Sequence, residues 1–224
     1  MKKLILFDCD STLSEIEGVD EMARLRGPEV YREIEKLTRL AMEGTIPLAE
    51  VFGRRLEIVR PTRQETETIG GKYINTVEPH ARQVVRELKA EGWGVGILSG
   101  GYRQAIRPLA DFLGIHLVEA VDLFFAEDGA YAGFDASYPT TRNGGKTEVV
   151  DRIRAEGKFN RVVMVGDGIS DLETRDAADL FIGFGRYASR EVVREKADRF
   201  VISLDEVVPI LKSSGGIRNN GASE

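Results

Sequence analysis

The chain has 224 residues, enough to bury a substantial core as one large domain or as one domain carrying an insertion. Its 31 basic and 37 acidic residues leave a net charge of -6 with no dense lysine or arginine block, which argues against nucleic acid or an anionic membrane as partner. A single cysteine, Cys9, and two histidines far apart in sequence, His80 and His116, exclude a disulfide framework and a zinc cluster and suit a reducing, cytoplasmic setting.

The first apolar run, "KLILF" at 3–7, is shorter than the roughly seven-residue core of a secretion signal and reads as a strand buried on both faces. No apolar stretch approaches the roughly 18 residues of a membrane span. Directly after the strand, "DCDSTLSEIEG" crowds Asp8, Asp10, Glu15 and Glu17 together. Residues 15–76 then read as helical and charged throughout, in "EGVDEMARLRG", "EVYREIEKLTRLAMEG" and "PLAEVFGRRLEIV", which predicts a helical insert. Ala81, Val84, Val85 and Leu88 form one helical stripe, followed by a buried strand in "WGVGILS" at 93–99. Ile106, Leu109, Ala110 and Leu113 repeat the stripe, with Gly114 as its stop.

"VDLFFAEDGAYAGF" reads as a β-hairpin turning at Asp128 and Gly129. Val149, Val150 and Ile153 mark a further helix before Gly157, and "RVVMVGD", "DLFIGF" and "RFVI" read as strands at 161–167, 179–184 and 199–202. The Gly-, Ser- and Asn-rich stretch 214–224 is expected to be a disordered tail. Strands alternating with helices predict an α/β fold: a doubly wound, Rossmann-like parallel sheet with right-handed crossovers, built from 1–14 and 77–213, with residues 15–76 as a small helical cap.

Ligands of open parallel sheets sit beyond the carboxyl ends of the strands. Those ends carry Asp8 and Asp10, then Ser99, Gly100 and Gly101, then Asp167 and Asp171, while Lys146 opens a later helix. Converging carboxylates suit a hard divalent cation such as magnesium, and a hydroxyl, glycine N–H groups and an ammonium are the donors expected around phosphate.

In this order, "DCDST", "SGG", Lys146 and "GDGISD" resemble the four motifs of the haloacid dehalogenase superfamily. The resemblance implies phosphoryl transfer. Asp8 would be the nucleophile that becomes an aspartyl-phosphate, and Asp10 the acid and base for leaving group and water. Asp8, the main-chain carbonyl of Asp10, and Asp167 would hold Mg2+, with Asp171 orienting the metal's surroundings, while Ser99, Gly100 and Lys146 bind the phosphate. Thr12 is expected to support the loop and Cys9 to point into the core.

The segments "DSTLSEIEGVDEMA", "RLAMEGTIPLAEVFGRRL" and "YAGFDASYPTTRNGGK" extend the resemblance to those members of the superfamily that hydrolyse O-phospho-L-serine in the last step of serine biosynthesis. It implies Glu17 for the substrate ammonium, Arg55 for its carboxylate, and Met42 and Ser170 as pocket lining. Leu48 stands where an aromatic is common in those members, and Ser170 where Asn or Thr is usual. Such an enzyme would be a monomer or homodimer with a small-molecule substrate and neither a nucleic-acid nor a membrane partner. The alternatives are a relative acting on another small phosphate ester, a phosphotransferase, and a non-catalytic binder of a phosphorylated ligand.

Overall fold

In the computed structural model, which describes residues 2–213, β1 (Lys3–Phe7) lies inside a six-stranded parallel sheet. A tight turn at Cys9–Leu13 follows, then four helices without an intervening strand: α1 (Gly18–Arg24), α2 (Pro28–Met42), α3 (Leu48–Val59) and α4 (Arg63–Asn75). The chain returns through α5 (Ala81–Ala90), β2 (Trp93–Tyr102), α6 (Arg103–Leu113) and β3 (Leu117–Val121). A two-stranded antiparallel hairpin, β4 (Leu123–Phe125) and β5 (Tyr131–Phe134), precedes α7 (Gly145–Ala155), β6 (Arg161–Gly166), α8 (Ile169–Leu172) and β7 (Leu180–Phe184). The described chain ends with α9 (Glu191–Lys196), β8 (Arg199–Val201) and α10 (Val207–Ser213). The expected tail, 214–224, lies outside the described residues.

The sheet order is β3-β2-β1-β6-β7-β8. The chain therefore winds outward from β1 in both directions, and a crevice opens where the direction reverses, between β1 and β6. Phe7 stands opposite Ile97 of β2 and Val165 of β6, so Asp8, Ser99 and Asp167 line up along one rim.

Side chains alternate across the sheet as a period of two requires. Ile5, Phe7, Ile97, Val163 and Val165 join one core cluster, which also takes in Phe52, Leu56, Ile69 and Tyr73 of the helical segment. Leu4, Leu6, Leu98, Val162 and Met164 face the other way, onto Val149, Val150 and Ile153 of α7. The insert is thus packed on one face of the sheet and above its rim.

Two features depart from the sequence reading. β3 adds an edge strand whose run "LVEAV" carries Glu119 at its centre, breaking the apolar pattern of a doubly buried strand. β2 continues three residues past Ser99, with an irregular register between Leu98 and Tyr102. Gly114 caps α6 in the left-handed conformation, and Gly129, at φ 84°, occupies the hairpin turn. Among the described residues, no helix is long and apolar enough to cross a membrane.

The helical segment joins the rest through two chain passages lying side by side. Ser14 bridges Val77, Glu15 N–H donates to Thr76 O at 3.0 Å, and Glu78 N–H donates to Leu13 O at 2.9 Å. Within the segment, Thr62 and Glu65 form a reciprocal capping box at the start of α4. Arg26 locks this corner: it donates to both Glu65 oxygens at 2.7 Å and to the carbonyls of Val59 and Arg60.

The Arg26 hydrogen bonds hold the Glu65 carboxyl down from 4.5 to about 2. Because the folded value lies below the unfolded one, the stabilisation is complete above about pH 4.5 and disappears as pH falls toward 2. Glu65→Gln keeps an acceptor for the capping box but removes the charge that Arg26 pairs with, so it is expected to cost about 1 kcal/mol at neutral pH, and the gap from the parent protein should close between pH 4.5 and 2. Urea unfolding of both proteins across that range checks this, and a gap independent of pH would contradict it.

Candidate active site

Asp8 continues the ladder of β1: its N–H donates to Val165 O at 2.9 Å, and its carboxylate accepts from Cys9 N–H at 2.7 Å. The backbone then turns sharply. Asp10 is extended and Ser11 takes φ 50°, a left-handed conformation made tolerable by a short side chain whose hydroxyl donates to Glu17 Oε1 at 2.7 Å. The reversal sets Asp8 and Asp10 on the wall of one cleft. Cys9 turns into the core and is fully buried, as expected, and burial pushes its thiol pKa up. Thr12 donates to Asp167 Oδ1 at 2.8 Å, the supporting role its position suggested.

Lys146, at the start of α7, is 3 % exposed. Its ammonium lies 3.0 Å from Asp8 Oδ1 and 2.5 Å from Asp171 Oδ1. Burial works against the charge, but Asp171 and Asp8 outweigh it and raise the lysine pKa above its ordinary value. Oxygens of Asp8, Asp167 and Asp171 come within 4.8 Å of one another, all three residues buried. Burial lifts Asp167 and Asp171 to about 7 each, Asp8's charge adding to the effect. Such a triad of desolvated carboxylates gains most from a hard divalent cation, so the residues present fit one.

Asp171 enters this cluster more closely than an outlying role would need, yet both its oxygens are already engaged, by Lys146 and by the Gly168 N–H at 2.9 Å. Its place depends on a glycine: a Cβ on Gly166 would fall 2.2 Å from Asp171 Cγ.

The Asp10 carboxylate is held apart from the triad. Oδ1 accepts from Gly18 N–H and from the Tyr73 hydroxyl, both at 2.6 Å. Burial and then the Asp8 charge raise its pKa to about 7, although both hydrogen bonds oppose the rise. At neutral pH it is poised to give or take a proton. Ser99, 1 % exposed, accepts from the Gly101 N–H at 2.9 Å, and Gly100 lines the same cleft.

Glu17, Met42, Arg55 and Ser170 border that cleft too, as does Leu48. Burial, with Asp10 adding to it, lifts the Glu17 carboxyl to about 8. Arg55 is buried, and its Nε has no hydrogen-bond partner among the described residues. The cleft thus gathers every residue that the sequence assigned to it except Asp171, which lies directly behind.

Two further side chains enter the site unmarked by any motif. Tyr73 reaches Asp10 from α4; the available signal was a tyrosine on that helix's buried face, whose hydroxyl needs a partner. Arg190, ahead of α9, donates to the main-chain carbonyl of Asp167 at 3.2 Å and also to its carboxylate. Nothing near "SRE" in the sequence points to it.

The chain matches the model of the haloacid dehalogenase-like hydrolases over residues 2–179. It is 34 % identical to a phosphoserine phosphatase of Bos taurus over 210 residues, 93 % of this chain and 92 % of that protein. Two solved structures superpose closely. One, a substrate-bound phosphoserine phosphatase complex, has TM-score 0.80 and 31 % identity, covering 95 % of this chain and 98 % of its own. The other, a phospho-aspartyl intermediate analogue of phosphoserine phosphatase, has TM-score 0.79 and 30 % identity, covering 93 % and 98 %.

Gly166→Ala should force Asp171 away from Lys146 and loosen the triad. Calorimetric titration with a divalent cation is expected to show affinity reduced by about 10-fold or more, the usual effect of disturbing groups that orient ligands. Unchanged affinity in the folded variant would show that Asp171 does not shape the cation site.

Proposed function

The chain belongs to the haloacid dehalogenase-like hydrolases, and from that premise we propose that it is a phosphatase converting O-phospho-L-serine to L-serine and phosphate through an aspartyl-phosphate on Asp8. The observation that carries the substrate is the placement of one half-buried carboxyl, Glu17, and one buried guanidinium, Arg55, around the cleft that holds Asp8 and Asp10. An amino-acid ester presents one ammonium and one planar carboxylate, and this pair complements both. Residues 15–76 then act as the cap that reads the organic part of the ester, and 1–14 with 77–213 as the core that handles phosphate. The reaction would release serine as the last step of its biosynthesis, in the cytoplasm, which suits a lone buried cysteine.

Asp8 attacks phosphorus in line, forming a carboxyl oxygen–phosphorus bond as the ester oxygen–phosphorus bond breaks. The Lys146 ammonium, already against Asp8, holds the nucleophile and stays to meet a phosphate oxygen, joined by Ser99 and the Gly100 N–H. Asp10 gives its proton to the departing serine oxygen, then takes one from the water that cleaves the aspartyl-phosphate. A pKa of about 7 suits both transfers.

Asp8, the main-chain carbonyl of Asp10, and Asp167 would hold Mg2+, with Asp171 orienting them, and the ion when bound would supply the positive charge that the carboxylates and the phosphate together lack. Glu17, lifted to about 8 by burial and by Asp10, would carry its charge beside the substrate ammonium. The Arg55 fork receives the carboxylate, and Met42 and Ser170 flank the amino-acid carbon chain.

Phosphate release from a panel of esters tests the assignment. The kcat/KM for O-phospho-L-serine should exceed that for phosphoethanolamine, which lacks only the carboxylate, by about 100-fold or more, since a buried donor left without its acceptor is costly. Equal turnover of the two would defeat the role given to Arg55, and preference for a phospho-sugar would defeat the substrate.

A further inference from the structure

Arg55 makes a single hydrogen bond among the described residues, from Nη1 to Thr38 Oγ1 at 3.1 Å. The Thr38 hydroxyl passes its own proton on, donating to Asp20 Oδ1 at 2.7 Å. A hydroxyl has one hydrogen, so the direction of this chain is fixed: guanidinium to hydroxyl to carboxylate. All three groups are buried, with Asp20 at 9 %, Thr38 at 3 % and Arg55 at 4 % exposure, and they come from three helices, α1, α2 and α3. The Phe52 ring stands 5.7 Å from the guanidinium carbon. The Asp20 carboxyl is pushed up to about 6 by burial, against the pull of Thr38 and Arg55.

The spacing has a consequence for binding. A carboxylate paired directly with Arg55 would fill the planar fork and compete with any ligand carboxylate. With a hydroxyl interposed, the arginine charge is offset from one step away, one nitrogen is tethered, and Nε stays buried without an acceptor. An orphaned buried donor on the wall of a cleft is costly until something accepts from it.

We propose that Asp20 and Thr38 are positioning residues that hold the Arg55 fork open toward the cleft and thereby set the preference for phosphate esters bearing a carboxylate. The proposal rests on the reading of Arg55 given above. Neither residue touches substrate; both act through the arginine.

Thr38→Val keeps the side chain's size and removes the relay. The parent protein, Thr38→Val, Thr38→Ser and Asp20→Asn are compared by kcat and KM on O-phospho-L-serine and on phosphoethanolamine. Thr38→Val and Asp20→Asn should each lower kcat/KM for O-phospho-L-serine by about 10- to 100-fold, chiefly through KM, the range expected for a hydrogen bond to a charged group. Phosphoethanolamine should change by less than about 3-fold, within ordinary context effects, and Thr38→Ser should restore most of the loss. Equal losses on both esters, or no loss on O-phospho-L-serine, would overturn the relay while leaving Arg55 its role. A parent protein that turns over the two esters alike would overturn both readings together.

Discussion

One buried ammonium makes the site possible. Lys146 lies between Asp8 and Asp171, shielded from solvent, and its charge is what allows a carboxylate from a strand end and one from the following helix to share one rim. Without it, Asp8 and Asp171 would repel each other in a desolvated setting where burial already lifts Asp171 to about 7. Removing one partner of such a pair leaves an uncompensated buried charge, at a cost of about 3–5 kcal/mol. The sheet supplies the geometry for this: β1 and β6 run in register, so Asp8 and Asp167 emerge side by side, and Gly166 leaves the room that Asp171 occupies.

On the proposed reading, the helical segment serves the chemistry as well as selectivity. Both donors to Asp10 Oδ1 belong to it, Gly18 from α1 and Tyr73 from α4, and their bonds oppose the rise that burial and Asp8 impose on Asp10. The acid therefore carries its perturbed pKa because the insert closes over it and then moderates it. The same segment places Glu17 and Arg55 at the opposite side of the problem, where they face the cleft rather than the sheet. In the proposed reaction, phosphate handling by strand ends and ester recognition by inserted helices would meet at Asp10.

Much of this is readable without coordinates because the physics is local. Past the basic residue that opens each, runs such as "KLILF" and "RVVMVG" carry no polar side chain because both sheet faces are covered, and the acids, the glycines and Lys146 stand directly at their ends or at a helix start. What escapes is set by tertiary packing. β3 hides behind Glu119, which an edge strand tolerates. Tyr73 looks like one more buried aromatic until Asp10 is brought against its hydroxyl, and Arg190 meets Asp167 across a loop with no motif of its own. The link from Arg55 through Thr38 to Asp20 joins three helices, so no spacing along the chain discloses it.

The proposed reaction passes through a covalent phosphate at position 8, and the most direct measurement is to catch it. Protein mixed with radiolabelled O-phospho-L-serine, quenched in acid during turnover and cut into peptides, should carry label on the peptide containing Asp8, released by hydroxylamine as an acyl phosphate is. Label on another residue, or full-speed turnover with none on the protein at any time, would contradict it.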